Sequence, residues 1–165
     1  MPAPDGSIPA EDRAFVVRVR MGDDAVVARP APAAPSPLRI LLVEDNVVNQ
    51  KVATEMLRRL GHRADVAGDG ARAVAMVAER AFDLVLMDVQ MPILDGLTAT
   101  RLIRARGGKQ PRIVGLTADA FAETRRRCLA AGMDEFLAKP VRLDAVAELL
   151  ARCTPRGSED DAAAR

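Results

Sequence analysis

The strongest constraint on this chain is an alternation running from Leu38 to Cys153. Ile40-Leu41-Leu42-Val43, Leu84-Val85-Leu86-Met87 and Ile113-Val114-Gly115-Leu116 are apolar runs too short for helices. Apolar on both faces, they suit the central strands of a sheet covered on both sides. Ala64-Asp65-Val66-Ala67 and Glu135-Phe136-Leu137 are weaker strand candidates. An amphipathic segment follows each. Val48, Val52, Met56 and Leu60 share one helical face, as do Ala73, Val74 and Val77; residues 97–106, 121–131 and 143–150 complete the set. Five strand–helix units in alternation predict an α/β domain, a parallel sheet wrapped by helices on both faces.

The flanks read differently. Seven of the 11 prolines precede Leu38, four of them between Arg29 and Pro37. Such a stretch continues neither a helix nor a sheet and tends toward extended polyproline conformation. Residues 1–37 are therefore expected to be an arm and linker, 38–153 the folded domain, and 154–165 a disordered tail. Within the arm, Phe15, Val17, Val19 and Met21 alternate as a short strand would.

Composition removes several classes of function. Lys and Arg total 24 against 23 acids, so no basic surface spreads over the whole molecule, and no nucleic-acid partner is expected. With four Phe and no Tyr or Trp, a base-stacking platform is excluded. No apolar run approaches the roughly 18 residues needed to cross a bilayer, and the first residues lack the order of a signal peptide. Cys128 and Cys153 do not make a disulfide scaffold. A cytoplasmic location away from membranes is expected.

The acids carry the chemistry. Glu44 and Asp45 directly follow the first strand run, and Asp88 follows the third. In an open parallel sheet, sites form beyond the carboxyl ends of the strands, where strand order reverses. Three carboxylates gathered there repel one another unless a cation intervenes, and hard oxygen donors suit Mg²⁺. Acids at strand ends also cap helices, so Asp45 alone decides nothing; three acids at two strand ends favour a shared site. Thr117 ends the fourth run and Lys139 follows the fifth. A hydroxyl and an ammonium at the same edge are what a phosphoryl group on a carboxylate needs. Carboxylates do accept phosphoryl groups as nucleophiles, and Asp88, on a central strand, is the best candidate.

These residues resemble the receiver domain of the two-component response-regulator family, most closely receivers attached to hybrid histidine kinases. The similarity lies in Leu42-Val43-Glu44-Asp45-Asn46 with Asn49-Gln50, in Leu86-Met87-Asp88-Val89-Gln90-Met91-Pro92 with Asp95-Gly96, in Leu116-Thr117-Ala118, and in the run from Gly132 to Lys139-Pro140. The resemblance implies a flavodoxin-like (βα)5 fold with strand order 2-1-3-4-5. It implies that Asp88 accepts phosphoryl from a phosphohistidine, and that Glu44, Asp45, Asp88 and the backbone carbonyl of Gln90 bind Mg²⁺. Thr117 and Lys139 would contact the phosphoryl oxygens, and Phe136, three residues before Lys139, falls at the family's switch-aromatic position. The Lys139-Pro140 bond is commonly cis in the family. The implied partners are a histidine kinase or a histidine phosphotransfer protein, with a downstream protein target on the face of helices 4 and 5. No room for a DNA-binding output domain is expected after Pro140. The alternative reading is the C-terminal part of a hybrid histidine kinase that relays phosphoryl to a phosphotransfer protein, the Phe15–Met21 pattern then being the last strand of its ATP-binding domain.

Departures are few. Asp119 replaces the usual Asn and reads either as a modifier of dephosphorylation or as a cap for a helix starting near Ala120. Gly115 replaces the usual Ala and is expected to cost a little stability. A phosphatase of the haloacid dehalogenase type carries a second Asp two residues after its nucleophile, where this chain has Gln90; a non-enzymatic module is expected. His62, the only histidine, reads as a solvated turn residue, and Arg125-Arg126-Arg127 as a solvated helix face or a contact for an acidic partner.

Overall fold

In the computed structural model, residues 37–155 are described; the Phe15–Met21 pattern, the Pro-rich linker and most of the tail lie outside them. Five strands alternate with five helices: β1 Ile40–Val43, α1 Val47–Arg59, β2 Ala64–Ala67, α2 Gly70–Glu79, β3 Leu84–Asp88, α3 Gly96–Ala105, β4 Arg112–Thr117, α4 Ala122–Ala131, β5 Glu135–Ala138 and α5 Leu143–Ala151. The sheet is parallel throughout, in the order β2-β1-β3-β4-β5, as the resemblance implies.

Side chains alternate across a strand, and here the alternation sorts two cores. Leu41, Val43, Val85, Met87 and Ile113 face α2, α3 and α4 through Ala73, Ile103 and Cys128. Ile40, Leu42, Leu84, Leu86 and Val114 face α1 and α5 through Leu57, Val146 and Leu149. Because α1 and α2 leave on opposite faces, strand order reverses between β1 and β3. A crevice must open at that point.

Four expectations are corrected. The buried face of α1 is not the Val48–Val52 row: Val48 is 67% and Val52 50% exposed, and Ala53, Leu57 and Leu60 pack on the core instead. The first turns of α1 lie beside the end of β1, where Asn49 and Gln50 bond Glu44 and Val52 lines an open groove. Gly115 is not a loose spot, since a Cβ there would meet the Met133 sulfur at 2.7 Å; that buried thioether fills the room. Asp119 does not cap α4. The helix starts at Ala122 behind Phe121, and the Asp119 carboxylate, two residues before that cap position, accepts from the Phe121 amide at 2.9 Å. His62 is partly buried rather than solvated, its Nδ1 enclosed and without a hydrogen-bond partner.

Candidate functional site

Asp88 is the last residue of β3, and the backbone beyond it is closely packed. A Cβ on Gly96 would fall 2.0 Å from the Asp88 carbonyl oxygen, so only glycine lets α3 begin against the end of β3. Val89 donates its N–H to the Leu116 carbonyl at 2.9 Å, holding the turn to β4. The Asp88 carboxylate, 3% exposed, accepts from the Gln90 amide at 3.0 Å through Oδ1 and from Lys139 Nζ at 2.8 Å through Oδ2.

Across the crevice, Glu44 follows β1 and is also 3% exposed. Its Oε2 accepts from Lys139 Nζ at 2.9 Å; its Oε1 accepts from the Asn46 amide and from Asn49 Nδ2, both at 3.2 Å. Gln50 Nε2 donates to the Glu44 carbonyl at 2.7 Å. Asn46 caps α1, its side chain accepting from the amides of Val48 and Asn49. Asp45 is exposed beside them, and carboxylate oxygens of Glu44, Asp45 and Asp88 all lie within 4.8 Å of one another.

Lys139 reaches in from the end of β5. Its N–H bonds the Thr117 carbonyl at 2.7 Å, and the Lys139–Pro140 peptide is cis. Burial would lower the ammonium pKa, but hydrogen bonds to Asp88 and Glu44 raise it above the ordinary value. Burial pushes Asp88 up, offset only partly by Lys139 and the Gln90 amide, with the Glu44 charge adding to the rise. Glu44 feels the same burial, yet Lys139, Asn49 and the Asn46 amide together hold it below the usual carboxylate range. The two acids are thus driven apart by their partners. Three carboxylates against one ammonium leave two negative charges uncompensated. An all-oxygen donor set of this charge fits a hard divalent cation such as Mg²⁺.

The structure brings Glu44, Asp45, Asp88 and Lys139 together and places Gln90 against Asp88. Thr117 stands at the neighbouring strand end, but its hydroxyl is turned aside, donating to the Asp119 carbonyl at 2.9 Å and accepting from the Asp119 amide at 3.1 Å. Phe136 pairs with Gly115 on the adjacent strand. Its half-buried ring lies under Arg125, whose guanidinium carbon is 5.7 Å from the ring centroid. Sequence reasoning quoted Asn46, Asn49 and Gln50 but gave them no task. Their spacing from Glu44 was the available signal, since a cap and the next helical turn both face the preceding strand end. The Arg125 contact had no such signal.

Beside Glu44 and Lys139 an apolar groove of about 440 Å³ runs between α1 and the β5–α5 turn, lined by Val52, Met56, Leu116, Pro140 and Val141. Among the described residues no helix is long and apolar enough to cross a membrane.

Known proteins are similar to this chain. Over 114 residues the chain is 43% identical to the sensor histidine kinase RcsC of Salmonella typhi, covering 69% of this chain and 12% of that protein. It covers 15% of Histidine kinase 5 of Arabidopsis thaliana, at 40% identity, so the chain spans a small part of these kinases. The receiver domain of the sensor histidine kinase PA1611 from Pseudomonas aeruginosa, solved with magnesium in its active-site cleft, is 44% identical. It superposes with a TM-score of 0.66 over 72% of this chain and 98% of that one. The receiver of Ssk1 from Saccharomyces cerevisiae, solved in complex with the histidine phosphotransfer protein Ypd1, is 31% identical, with a TM-score of 0.65 over 72% of this chain and 89% of that one. Residues 40–151 match the model of the response regulator receiver domain, and the chain belongs to that family.

Proposed function

We propose that Asp88 accepts a phosphoryl group from a phosphohistidine, with Mg²⁺ held by Glu44, Asp45, Asp88 and the Gln90 carbonyl. The observation that carries this reading is the single ammonium of Lys139 shared by two buried carboxylates, 2.9 Å from Glu44 and 2.8 Å from Asp88, with Asp45 alongside. An O–P bond forms at Asp88 as the P–N bond breaks, and the electron pair stays on the imidazole nitrogen. The products are an aspartyl phosphate and a free histidine. Mg²⁺, when bound, supplies charge neutralisation for the transferring oxygens. Lys139 offsets charge on the same group, the Gln90 amide holds the Asp88 carboxylate, and Gly96 packs against the Asp88 backbone.

Thr117 supports a switch. Its hydroxyl is bound only to its own turn, so it can exchange the Asp119 contacts for a phosphoryl oxygen at little cost. Phe136, beside Gly115 on β5, is positioned to follow and so alter the surface of α4 and α5. The donor is a histidine kinase or histidine phosphotransfer protein; the exposed Val48 and Val52 of α1 and the groove beside Lys139 offer it apolar surface. Gln90, two residues after Asp88, carries no acidic proton for a leaving group, which favours a phosphoacceptor over a turnover phosphatase. The match to short segments of long histidine kinases supports a second reading, in which this receiver serves within a hybrid kinase.

Incubation with acetyl phosphate and Mg²⁺ tests the assignment by intact mass. Wild type gains one phosphoryl adduct, and Asp88→Asn gains none. An equal adduct on Asp88→Asn, or none on wild type, refutes it.

A further inference from the structure

Three arginines that the acidic crevice does not use stand around one hollow at the other end of the sheet. Arg39 leads into β1, Arg63 leads into β2 and Arg80 follows α2. With Leu38, Gly61 and Phe82 they line a cavity of about 800 Å³. The strands β1 and β2 begin side by side there, Ile40 against Ala64, whereas Asp88 ends β3. Leu38, Ile40 and Phe82 are buried, so the floor of the hollow is apolar.

Charge in it is unbalanced. Asp65 is the one carboxylate among the residues that line it, and three guanidinium groups less that carboxylate leave an excess of two positive charges. Asp65 lies 3.3 Å from Arg80, whose guanidinium carbon is 5.4 Å from the Phe82 ring centroid. Arg39 stands 3.5 Å from the buried carboxylate of Asp83. The Arg63 side chain is exposed and has no hydrogen bond or ion pair among the described residues. Arg80 ends a helix, where the last carbonyls favour a cation; Arg63 has no such local reason. Like charges gathered around one hollow repel one another, and the rim is complementary to an anion.

The chain itself carries one nearby. Leu150, Cys153 and Pro155 line an adjoining hollow of about 330 Å³ together with Pro37, Leu38 and Gly61, which also line the basic one. The backbone after α5 is thus brought to the edge of the arginine rim. Beyond it, outside the described residues, Glu159-Asp160-Asp161 are three acids in succession, four to six residues past Pro155. At roughly 3.3–3.6 Å per residue they can lie up to about 13–22 Å from it, more than the width of a cavity of that volume.

We propose that Glu159, Asp160 and Asp161 dock on the rim formed by Arg39, Arg63 and Arg80 and close the hollow from within the same chain. The tether holds these acids at about millimolar effective concentration. Contacts that are individually weak at exposed sites therefore suffice, and the segment needs no fold of its own to be held. The assignment is independent of the function proposed above.

Two-dimensional ¹H–¹⁵N NMR of the full chain tests it, at about 0.01 M salt where the Debye length is about 30 Å. Arg63→Gln should move the amide resonances of Glu159, Asp160 and Asp161 and lower the ratio of docked to free segment about two- to fivefold. It should melt within about 3 °C of wild type. Neutralising the acids together, Glu159→Gln with Asp160→Asn and Asp161→Asn, should move the resonances of Arg63, Ala81 and Phe82 and leave those of Asp88 and Lys139 in place. Arg63→Glu should release the segment, and adding Asp160→Lys should restore it. These differences should vanish by about 1 M salt, where the Debye length is about 3 Å. Unmoved resonances at Glu159, Asp160 and Asp161 in Arg63→Gln overturn the inference. So does docking that weakens on dilution, which would seat the acids on a second copy. If Arg63→Gln moves only residues before Pro37, that segment is the occupant and the inference fails. It fails too if millimolar inorganic phosphate shifts Arg63 alike in wild type and the neutralised variant, which would make the rim an open anion site.

Discussion

The two helices that flank the acidic crevice start in opposite ways. At α1 the Asn46 side chain takes two amides of the first turn, while Asn49 and Gln50 reach back to the side chain and carbonyl of Glu44. At α4 Phe121 occupies the cap position, 75% exposed and with no side-chain hydrogen bond to the helix. The residues before it, Thr117 and Asp119, are bound to each other. The far end of α4, by contrast, is pinned. Arg104 donates to the Gly132 carbonyl and to Asp134, both at 2.8 Å, and Gly132 closes the helix at φ 99°. One half of the site is therefore tied to its charges. The other borders a helix whose first turn has no side-chain cap and whose far end is held by Arg104 and Gly132.

The largest test removes the group that joins the two halves. Lys139→Ala leaves Glu44 and Asp88 buried and facing each other without a counter-ion. Breaking such a pair by deleting one partner costs about 3 kcal/mol at neutral pH. Urea unfolding should show this loss without divalent ions and recover part of it as Mg²⁺ is added, since ligand that binds only the folded state stabilises it. A negligible loss with no response to Mg²⁺ would mean that water, not Lys139, compensates the acids.

A smaller effect separates the helix starts directly. Asn46→Ala forfeits the cap of α1 and the turn that positions Asn49, costing about 1 kcal/mol. Phe121→Ala at the matching position of α4 removes no cap bond and should stay within about 0.5 kcal/mol of wild type. Hydrogen exchange supplies the local readout: Val48 and Asn49 amides lose protection in Asn46→Ala, whereas Glu123 and Thr124 exchange early in wild type and do not change in Phe121→Ala. Equal costs at the two positions would dissolve the contrast.

How far this was legible in the sequence follows the same division. The runs around Leu41, Val85 and Val114 are apolar on both faces, so their strand state and central place needed no partner information. Glu44, Asp45 and Asp88 stand at the ends of such runs and Lys139 after the weaker fifth one, which set their edge of the sheet in advance. What escaped depends on neighbours distant in the chain. Val48 and Val52 have the spacing of a buried row but stay exposed, and one sequence cannot show which turns of a helix meet the sheet. Met133 fills the space at Gly115 from 18 positions away. Ile93 follows an ordinary Met-Pro pair, and nothing in the local pattern announces its positive φ of 71°. Local pattern reached the acids and their strands; the orientation of α1, the turn at Ile93 and the ring contact at Phe136 are tertiary.

The smallest effect lies at that ring. Phe136 has no hydroxyl to anchor it, and the Arg125 guanidinium over its face is the contact that ties it to α4. An exposed cation–π pair contributes about 0.5–1 kcal/mol. Arg125→Ala should then leave global stability almost unchanged while altering the balance of ring orientations by about two- to fivefold, since each 1.36 kcal/mol corresponds to a tenfold ratio. With only four Phe in the chain, fluorophenylalanine labelling gives at most four ¹⁹F resonances, and Phe136→Leu assigns the one that matters. That resonance should shift in Arg125→Ala and stay put in Arg126→Ala, whose guanidinium pairs with Glu123 instead. If the two variants shift it equally, the ring senses the charge of α4 at large. If only Arg125→Ala moves it, the first turns of α4 and the ring of β5 are one coupled element.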